Sequence, residues 1–162
     1  MNKATGSTDV KLIECINPKK GKWKIRWAVT DKGDGTAEWV EEVFTHKPSA
    51  DEIKDTVIGW YNDKIDSEIL SGFEWNGKAV WLSTENQFNY KAAYDLAVQT
   101  QGANLPVTFK LGTDDKPEYY EFSTVDDLGD FYTKAMAYIQ GVLANGWQEK
   151  DTFDITKYVA DE

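Results

Sequence analysis

Alternation of apolar and polar residues indicates short β-strands in several parts of the chain. Over residues 22–29 every second position is apolar, which is the period of a strand with one buried face. The glycine-rich residues 31–35 then supply a turn, and residues 38–44 return as a second strand. Residues 107–111 and 118–122 repeat this plan, and residues 10–16 are a further candidate strand. The pattern therefore predicts antiparallel β-hairpins.

The clearest hairpin signal is Asn76-Gly77, which stands between two short aromatic runs. A two-residue type I′ turn needs positive φ at both positions, and Asn and Gly tolerate that conformation best. Asn76 and Gly77 are therefore predicted to be structural turn residues. In this register Trp75 faces Lys78, and one side of the ribbon carries four apolar residues: Phe73, Trp75, Val80 and Leu82.

Apolar residues at intervals of three and four predict helices over residues 50–65 and 85–100, and a last long helix that ends at Gly146. The predicted starts are Ser49 with Glu52, Thr84 with Gln87, and Ser123 or Thr124. The predicted core line of the first helix is Ile53, Val57, Trp60, Tyr61 and Ile65. The predicted core line of the second helix is Phe88, Ala92 and Leu96, with Ala93 and Ala97 alongside. The predicted core line of the third helix is Leu128, Phe131, Ala135, Tyr138, Ile139 and Val142.

These elements predict an α+β fold in which antiparallel β-hairpins pack against helices as repeated ββα units. Leu82-Ser83-Thr84 matches Phe122-Ser123-Thr124, although any hairpin followed by a capped helix would look similar. Residues 1–9 are polar and predict a disordered arm. For the rest of the chain we predict a Trp-rich hairpin plus helix over residues 10–65, two ββα units over residues 66–146 and an acidic tail over residues 147–162. We expect residues 10–146 to form one compact domain.

The charge balance limits the partners that we expect. The chain of 162 residues has 18 Lys and Arg against 28 Asp and Glu, which gives a net charge of −10. That sign opposes direct binding of nucleic acid and of anionic lipid, although it leaves an acidic DNA mimic as an alternative. No apolar run approaches the roughly 18 residues of a membrane span. Residues 1–9 also lack the apolar core of a signal peptide, which predicts synthesis in a cytoplasm.

The sequence contains little catalytic chemistry. It has one Cys and one His, so Cys15 has no internal disulfide partner and a Cys/His zinc site lacks ligands. His46 is interpreted as a loop histidine without a nucleophile motif nearby. Residues 31–36 are similar to a calcium loop, but Gly33 and Gly35 occupy two ligand positions, so a hairpin turn is the better interpretation. We therefore predict no catalytic residue, no metal and no cofactor, and a protein that is not an enzyme.

Tryptophan is abundant, with seven residues in the chain. Exposed Trp rings bind sugars or protein partners well because they bury much area at a small cost in conformational entropy. The alternative interpretation is that they pack against the helices. If some are exposed, the candidate partner or glycan contacts are those of the N-terminal hairpin: Trp23, Trp27 and Trp39.

The central hairpin also resembles a known family. Phe73, Asn76, Gly77, Trp81 and Leu82 match a Phe-x-x-Asn-Gly-x-x-x-Trp-Leu pattern that follows an acidic segment and precedes a helix, a second strand pair and a long aromatic helix. The pattern is similar to that of an uncharacterised phage and prophage domain family found near tail and tail-fibre genes, including prophages of gut bacteria. The resemblance covers residues 53–151, leaves the first 50 residues outside and brings no catalytic residues with it.

The resemblance implies a non-enzymatic phage or prophage protein, either virion-associated or an accessory of the tail or tail fibre, that acts through protein–protein contacts. Its partners would be other phage proteins, the host surface or further copies of the chain. It would be made in the host cytoplasm, with the virion as a further location. Two alternatives remain, namely a carbohydrate-binding module that recognises host glycans through exposed Trp, and an acidic inhibitor or DNA mimic of host enzymes.

Overall fold

The computed structural model describes residues 1–159, which form the α+β fold that the sequence predicts. The strands are β1 (Asn2–Ser7), β2 (Ile13–Asn17), β3 (Lys22–Asp31), β4 (Thr36–Phe44), β5 (Phe73–Trp75), β6 (Lys78–Val80), β7 (Val107–Gly112) and β8 (Pro117–Phe122). The helices are α1 (Ala50–Ser71), α2 (Thr84–Gln99), α3 (Val125–Asp151) and α4 (Thr156–Val159).

The chain divides into two compact units. Unit 1 comprises Met1–Trp60 together with the residues from Thr152 onward, and unit 2 comprises Tyr61–Asp151. Unit 1 contains a four-stranded antiparallel sheet in the order β1-β4-β3-β2. Unit 2 contains two separate two-stranded sheets, β5-β6 and β7-β8, each followed by a helix.

The prediction of a disordered arm over residues 1–9 is wrong, because Asn2–Ser7 forms the edge strand β1. It pairs with β4 from Asn2 opposite Glu41 to Ser7 opposite Thr36. The strand passes close under an aromatic ring, since a Cβ added to Gly6 would lie 2.7 Å from Trp39. The pairing depends on backbone hydrogen bonds to β4, which polar side chains do not prevent.

Helix α1 begins where the sequence predicts and ends later. Ser49 N donates to Glu52 Oε2 at 2.8 Å and Glu52 N donates to Ser49 Oγ at 3.3 Å, which is the predicted capping box. Ile53 and Val57 of the predicted core line are fully buried. The helix continues past residue 65 to Ser71, and near its end the Tyr138 hydroxyl donates to Glu68 O at 2.7 Å.

The central hairpin confirms its prediction in register and in turn. Asn76 and Gly77 have φ of 50° and 75°. Trp75 lies opposite Lys78, and Phe73 opposite Val80. The four apolar residues predicted for one side of the ribbon are all buried: Phe73, Trp75, Val80 and Leu82. They join an aromatic core that includes Phe122 and Phe131.

Helix α2 departs from the prediction in its start and in its buried face. Ser83, not Thr84, is the N-cap, because its side chain accepts from Asn86 N. Phe88 and Leu96, the large residues of the predicted core line, are both exposed. The helix carries a second apolar line through Tyr90 and Ala97, and this is the buried one. Burial of the Tyr90 ring against Phe109 and Phe131 favours that orientation.

Helix α3 confirms the predicted apolar stripe but does not end at Gly146. Leu128, Phe131, Ala135, Ile139 and Val142 are buried, and Tyr138 is partly buried. Gly146 lies within the helix, where an added Cβ would be 2.3 Å from Ile65 Cγ1, so it permits a close helix contact rather than a termination. The predicted acidic tail therefore begins inside α3, continues through α4, and has its last residues, 160–162, outside the described part.

Candidate functional site

Two of the three predicted contact tryptophans are core residues, so the prediction of an exposed platform is wrong for them. Trp27 is 2% exposed, and its ring meets that of Trp60 edge to face at a centroid distance of 6.0 Å. Trp39 is 8% exposed, and its Nε1 donates to Glu41 Oε2 at 3.0 Å. Trp39 is also covered by β1, where a Cβ added to Gly6 would lie 2.7 Å from its ring.

Trp23 is half-buried and remains a candidate contact residue. It lines a cleft of about 560 Å³ in unit 1, the Trp23 cleft, together with Cys15, Pro48 and Tyr158. The Lys47 ammonium lies 5.7 Å from the centroid of the Trp23 ring, within cation–π range. His46 is exposed, with Nε2 2.8 Å from Glu52 Oε1, so it supports the start of α1 as a loop residue.

A charged network stabilises the sheet of unit 1. Arg26 is buried; its Nη1 donates to Glu14 Oε2 at 2.7 Å and to Lys11 O at 2.8 Å, and its Nε donates to Glu41 Oε2 at 3.4 Å. Lys24 Nζ donates to Glu41 Oε1 at 2.7 Å. Burial raises the pKa of Glu41, but the hydrogen bonds from Lys24 and Trp39 and the two cationic charges outweigh it and hold the pKa below its usual value. Each charge has a partner, so the network is structural.

Unit 2 contains a cleft beside Trp81, which we name the Trp81 cleft. It has a volume of about 650 Å³, within the range of ligand sites. Residues 79–81 form one wall, residues 108–114 form the other, and α2 contributes Asn86, Asn89 and Tyr90. Trp81 itself is 53% exposed. A large aromatic side chain is thus available to a ligand without any rearrangement of the core.

Tyr90 gives this cleft a hydroxyl group on a largely buried ring. The residue is 4% exposed, and its ring packs on Phe109 and Phe131 at centroid distances of 4.7 and 4.9 Å. Its hydroxyl makes no hydrogen bond to any residue that the structure describes. Burial raises the pKa of Tyr90, so the hydroxyl stays protonated at neutral pH and can donate. The hydroxyl oxygen is not one of the buried side-chain atoms that lack a partner, so it reaches the open space of the cleft, where solvent or a ligand can accept from it.

The charges of the Trp81 cleft balance each other. Its two charged residues are Lys110 and Asp114, with Lys110 Nζ 3.5 Å from Asp114 Oδ1. The remaining polar side chains are amides and hydroxyls, including those of Asn89 and Thr108. This composition suits a neutral ligand better than a phosphate or a polyanion.

Sequence reasoning missed both Trp81 and Tyr90, although one of them left a signal. The hairpin register places Val80 and Leu82 on the core side of the ribbon, and alternation along an extended chain turns the residue between them to the opposite side. Trp81 is that residue. Tyr90 left no comparable signal, because Phe88 and Leu96 offered an equally regular apolar line on the same helix.

The exposed residues Phe88, Ala92 and Leu96 form a further apolar feature, the α2 stripe, on the surface of that helix. Phe88 is 70% exposed. Lys91 and Asp95 form an ion pair along the same helix. The spacing of four residues places the three apolar side chains along one side of α2.

Within residues 1–159 no group of three or more His, Cys, Asp or Glu side chains is placed to hold a metal ion. None of the helices over these residues combines the length and apolar character needed to cross a bilayer. Comparisons with protein-family models, with curated proteins and with solved structures find no match to this chain.

Proposed function

We propose that the chain is a non-enzymatic accessory protein of a phage or prophage particle and that it binds another protein at the Trp81 cleft. The observation that carries this proposal is the exposure of Trp81 beside a cleft that the Tyr90 side chain also lines. Enzymatic chemistry is not needed to explain either feature.

The phage-type pattern in the sequence supports the same conclusion. Of the residues that carry the resemblance, Phe73 and Leu82 fill the core, and Asn76 and Gly77 make the type I′ turn. Of these five residues, only Trp81 neither fills the core nor forms the turn, and half of its surface is in solvent. An aromatic residue kept exposed beside a cleft is the usual composition of a binding hot spot.

Carbohydrate binding is the second candidate, and the polar lining of the cleft favours it. A sugar ring could stack on the Trp81 indole while Asn89 and Thr108 hydrogen-bond to its hydroxyl groups. This alternative moves the glycan site from the N-terminal hairpin, where Trp27 and Trp39 are buried, to unit 2.

The test compares Trp81→Ala with Trp147→Ala, because Trp147 is also in unit 2, is 50% exposed and does not line the cleft. Each variant is co-expressed with phage tail and tail-fibre genes, and the copurifying particle proteins are identified by mass spectrometry. We expect one such protein to bind at least ~30-fold more weakly to Trp81→Ala and unchanged to Trp147→Ala, since hot-spot truncations cost about 2 kcal/mol or more.

Retention of the same partners by Trp81→Ala would contradict the proposed function. A parallel titration with mono- and oligosaccharides follows tryptophan fluorescence. Saturable quenching that disappears in Trp81→Ala would favour the glycan alternative over protein binding.

A further inference from the structure

The α2 stripe leaves large apolar side chains in solvent. Phe88 is 70% exposed and Leu96 is 46% exposed. Ala92 lies between them, four residues from each, and is exposed as well. The buried line of the helix, through Tyr90 and Ala97, lies on the opposite side. The core of unit 2 therefore does not use the stripe, and an exposed apolar row of this kind is typical of an interaction surface.

The order of side-chain sizes along the stripe is the same in both directions. Residues four apart form a ridge on a helix, and packing between two such ridges is the commonest class of helix contact in globular proteins. The small side chain of Ala92 at the middle allows two helix axes to approach closely, whereas Phe88 and Leu96 provide bulk at the ends. A second copy turned by a two-fold axis at Ala92 would place its Leu96 against Phe88 at one end and its Phe88 against Leu96 at the other.

The charges beside the stripe are complementary to those of a second copy. Lys91 and Asp95 form an ion pair one turn apart on one flank of the stripe. With a rise of about 1.5 Å per residue, Lys91 lies about 1.5 Å before Ala92 along the helix axis and Asp95 lies about 4.5 Å after it. The two-fold axis brings the same flank of both copies together in opposite directions. Each Lys91 would therefore face the Asp95 of the other copy.

Self-association also needs a face that does not repel its own copy, because the net charge of the chain is −10. The centre of this face meets that requirement, since the charges of Lys91 and Asp95 cancel each other. The other exposed polar residues of the face are one acid and two amides: Glu85, Asn89 and Gln99. Glu85 lies about 10 Å from Ala92 along the axis, so it is outside the centre of the contact.

We propose that two copies of the chain associate through their α2 stripes, as antiparallel helices related by a two-fold axis at Ala92. The Trp81 cleft touches α2 through Asn86, Asn89 and Tyr90, to one side of the stripe, so the dimer does not depend on the proposed function. One helix face buries less than the roughly 1,200 Å² of a stable interface, which gives a weak dimer with a Kd of about 10–100 μM. At about 1 μM the chain is then a monomer.

Sedimentation velocity of the full chain, from about 1 μM to about 500 μM, tests the dimer. We expect the mean mass to rise with concentration from 18.4 kDa toward twice that value. Phe88→Ala should weaken the association at least ~30-fold, because large aromatic side chains carry much of the binding energy of an interface. Tyr119→Ala is the matched control, since Tyr119 is 71% exposed and lies on β8, and it should leave the association unchanged.

Charge reversal then tests which side chains face each other. Lys91→Asp makes this flank acidic and Asp95→Lys makes it basic, so each variant alone should associate at least ~10-fold more weakly than the wild type. An equimolar mixture of the two variants should regain the wild-type affinity or exceed it. The ion pair within the chain is broken in both variants and stays broken on mixing, so the recovery reports pairing between copies. Lys54→Asp, an exposed reversal on α1, controls for net charge and should change little.

A mean mass that stays at 18.4 kDa up to about 500 μM would overturn the proposed dimer, as would an association that Phe88→Ala leaves unchanged. Failure of the mixed charge variants to associate would overturn the pairing of Lys91 with Asp95 of the second copy. Circular dichroism of each variant checks that the helices are retained. None of these outcomes depends on the partner of the Trp81 cleft, which the copurification experiment decides separately.

Discussion

The two units of this chain hold their interiors together in different ways. In unit 1 a buried guanidinium, Arg26 of β3, links Glu14 of β2 to Glu41 of β4. In unit 2 the Phe131 ring lies within 6.5 Å, centroid to centroid, of five other aromatic rings: Phe73, Trp75, Tyr90, Phe109 and Phe122. Unit 1 adds directed charge pairs to an apolar core that includes Ile25 and Trp27, whereas the core of unit 2 is dominated by packed rings.

The difference shows what each kind of interior can specify. Hydrogen bonds and ion pairs are directional, so the network of Arg26 fits one strand order and one register of the sheet in unit 1. Ring contacts are less directional, but they bury more apolar area and contribute more free energy. In unit 2 they join both hairpins to α2 and α3 and so form the base on which the Trp81 cleft lies.

The largest effect is expected from Phe131→Ala, which removes the ring at the centre of unit 2. We expect a loss of about 3–5 kcal/mol in the free energy of unfolding, because the buried ring leaves a cavity among its aromatic neighbours. Urea denaturation followed by circular dichroism measures the change. Phe88→Ala is the matched control, and its effect should stay within about 0.5 kcal/mol because Phe88 is 70% exposed. Equal losses in the two variants would contradict the assignment of the core.

A smaller effect, with a distinct dependence on pH, is expected from Glu41→Gln in unit 1. At pH 7 the variant should lose about 1–3 kcal/mol, since Arg26 and Lys24 keep their positive charges but lose the anionic partner. Because the pKa of folded Glu41 is lowered, its contribution is fully present above 4.5, the ordinary value, and disappears as the pH falls through the folded value. The difference between wild type and variant should therefore shrink in acid.

Glu38→Gln is the control for this experiment. Glu38 is on the same strand and pairs with Lys32 at 2.7 Å, but its side chain is 54% exposed. Solvent screening keeps such pairs below about 1 kcal/mol. A gap between wild type and Glu41→Gln that stayed constant from pH 7 to pH 3 would show that the charge of Glu41 does not stabilise unit 1.

The smallest effect concerns a helix start. Ser49→Ala removes the hydroxyl that caps α1 and should cost about 1 kcal/mol, measured by thermal unfolding. Ser49→Asp restores an acceptor at the same position and should recover most of the loss. If the Asp variant were no more stable than the Ala variant, the capping box would not be the source of the effect.

Local signals in the sequence predicted much of this fold. The Asn76-Gly77 turn fixes the register of its hairpin through backbone conformation alone, so no distant contact was needed to place Trp75 opposite Lys78. The apolar stripe of α3 is also a local signal, because the spacing of Leu128, Phe131 and Ala135 places them on one face of the helix. This placement does not depend on which residues pack against that face. Strand β1 was missed because its pairing with β4 depends on backbone groups distant in sequence.

The candidate site was harder to predict, because exposure is a property of the assembled fold. Trp27, Trp39 and Trp81 all lie in or beside aromatic hairpins, but the first two become buried and the third stays exposed. Contacts with residues distant in sequence decide the difference, because Trp60 packs on Trp27 and Gly6 lies against Trp39. For α2, the sequence offers two apolar lines and no local criterion for choosing between them.

The contact between Ile65 and Gly146 also has a consequence for engineering this protein. Replacement of helix-interior glycines by alanine is a common route to heat resistance, because alanine is favoured by up to about 1 kcal/mol per site. In α3 that rule suits Gly141, where an added methyl group would meet nothing within 4 Å. It fails at Gly146, where the methyl group would lie 2.3 Å from Ile65 Cγ1. One helix therefore contains both a site open to thermostabilising design and a site closed to it.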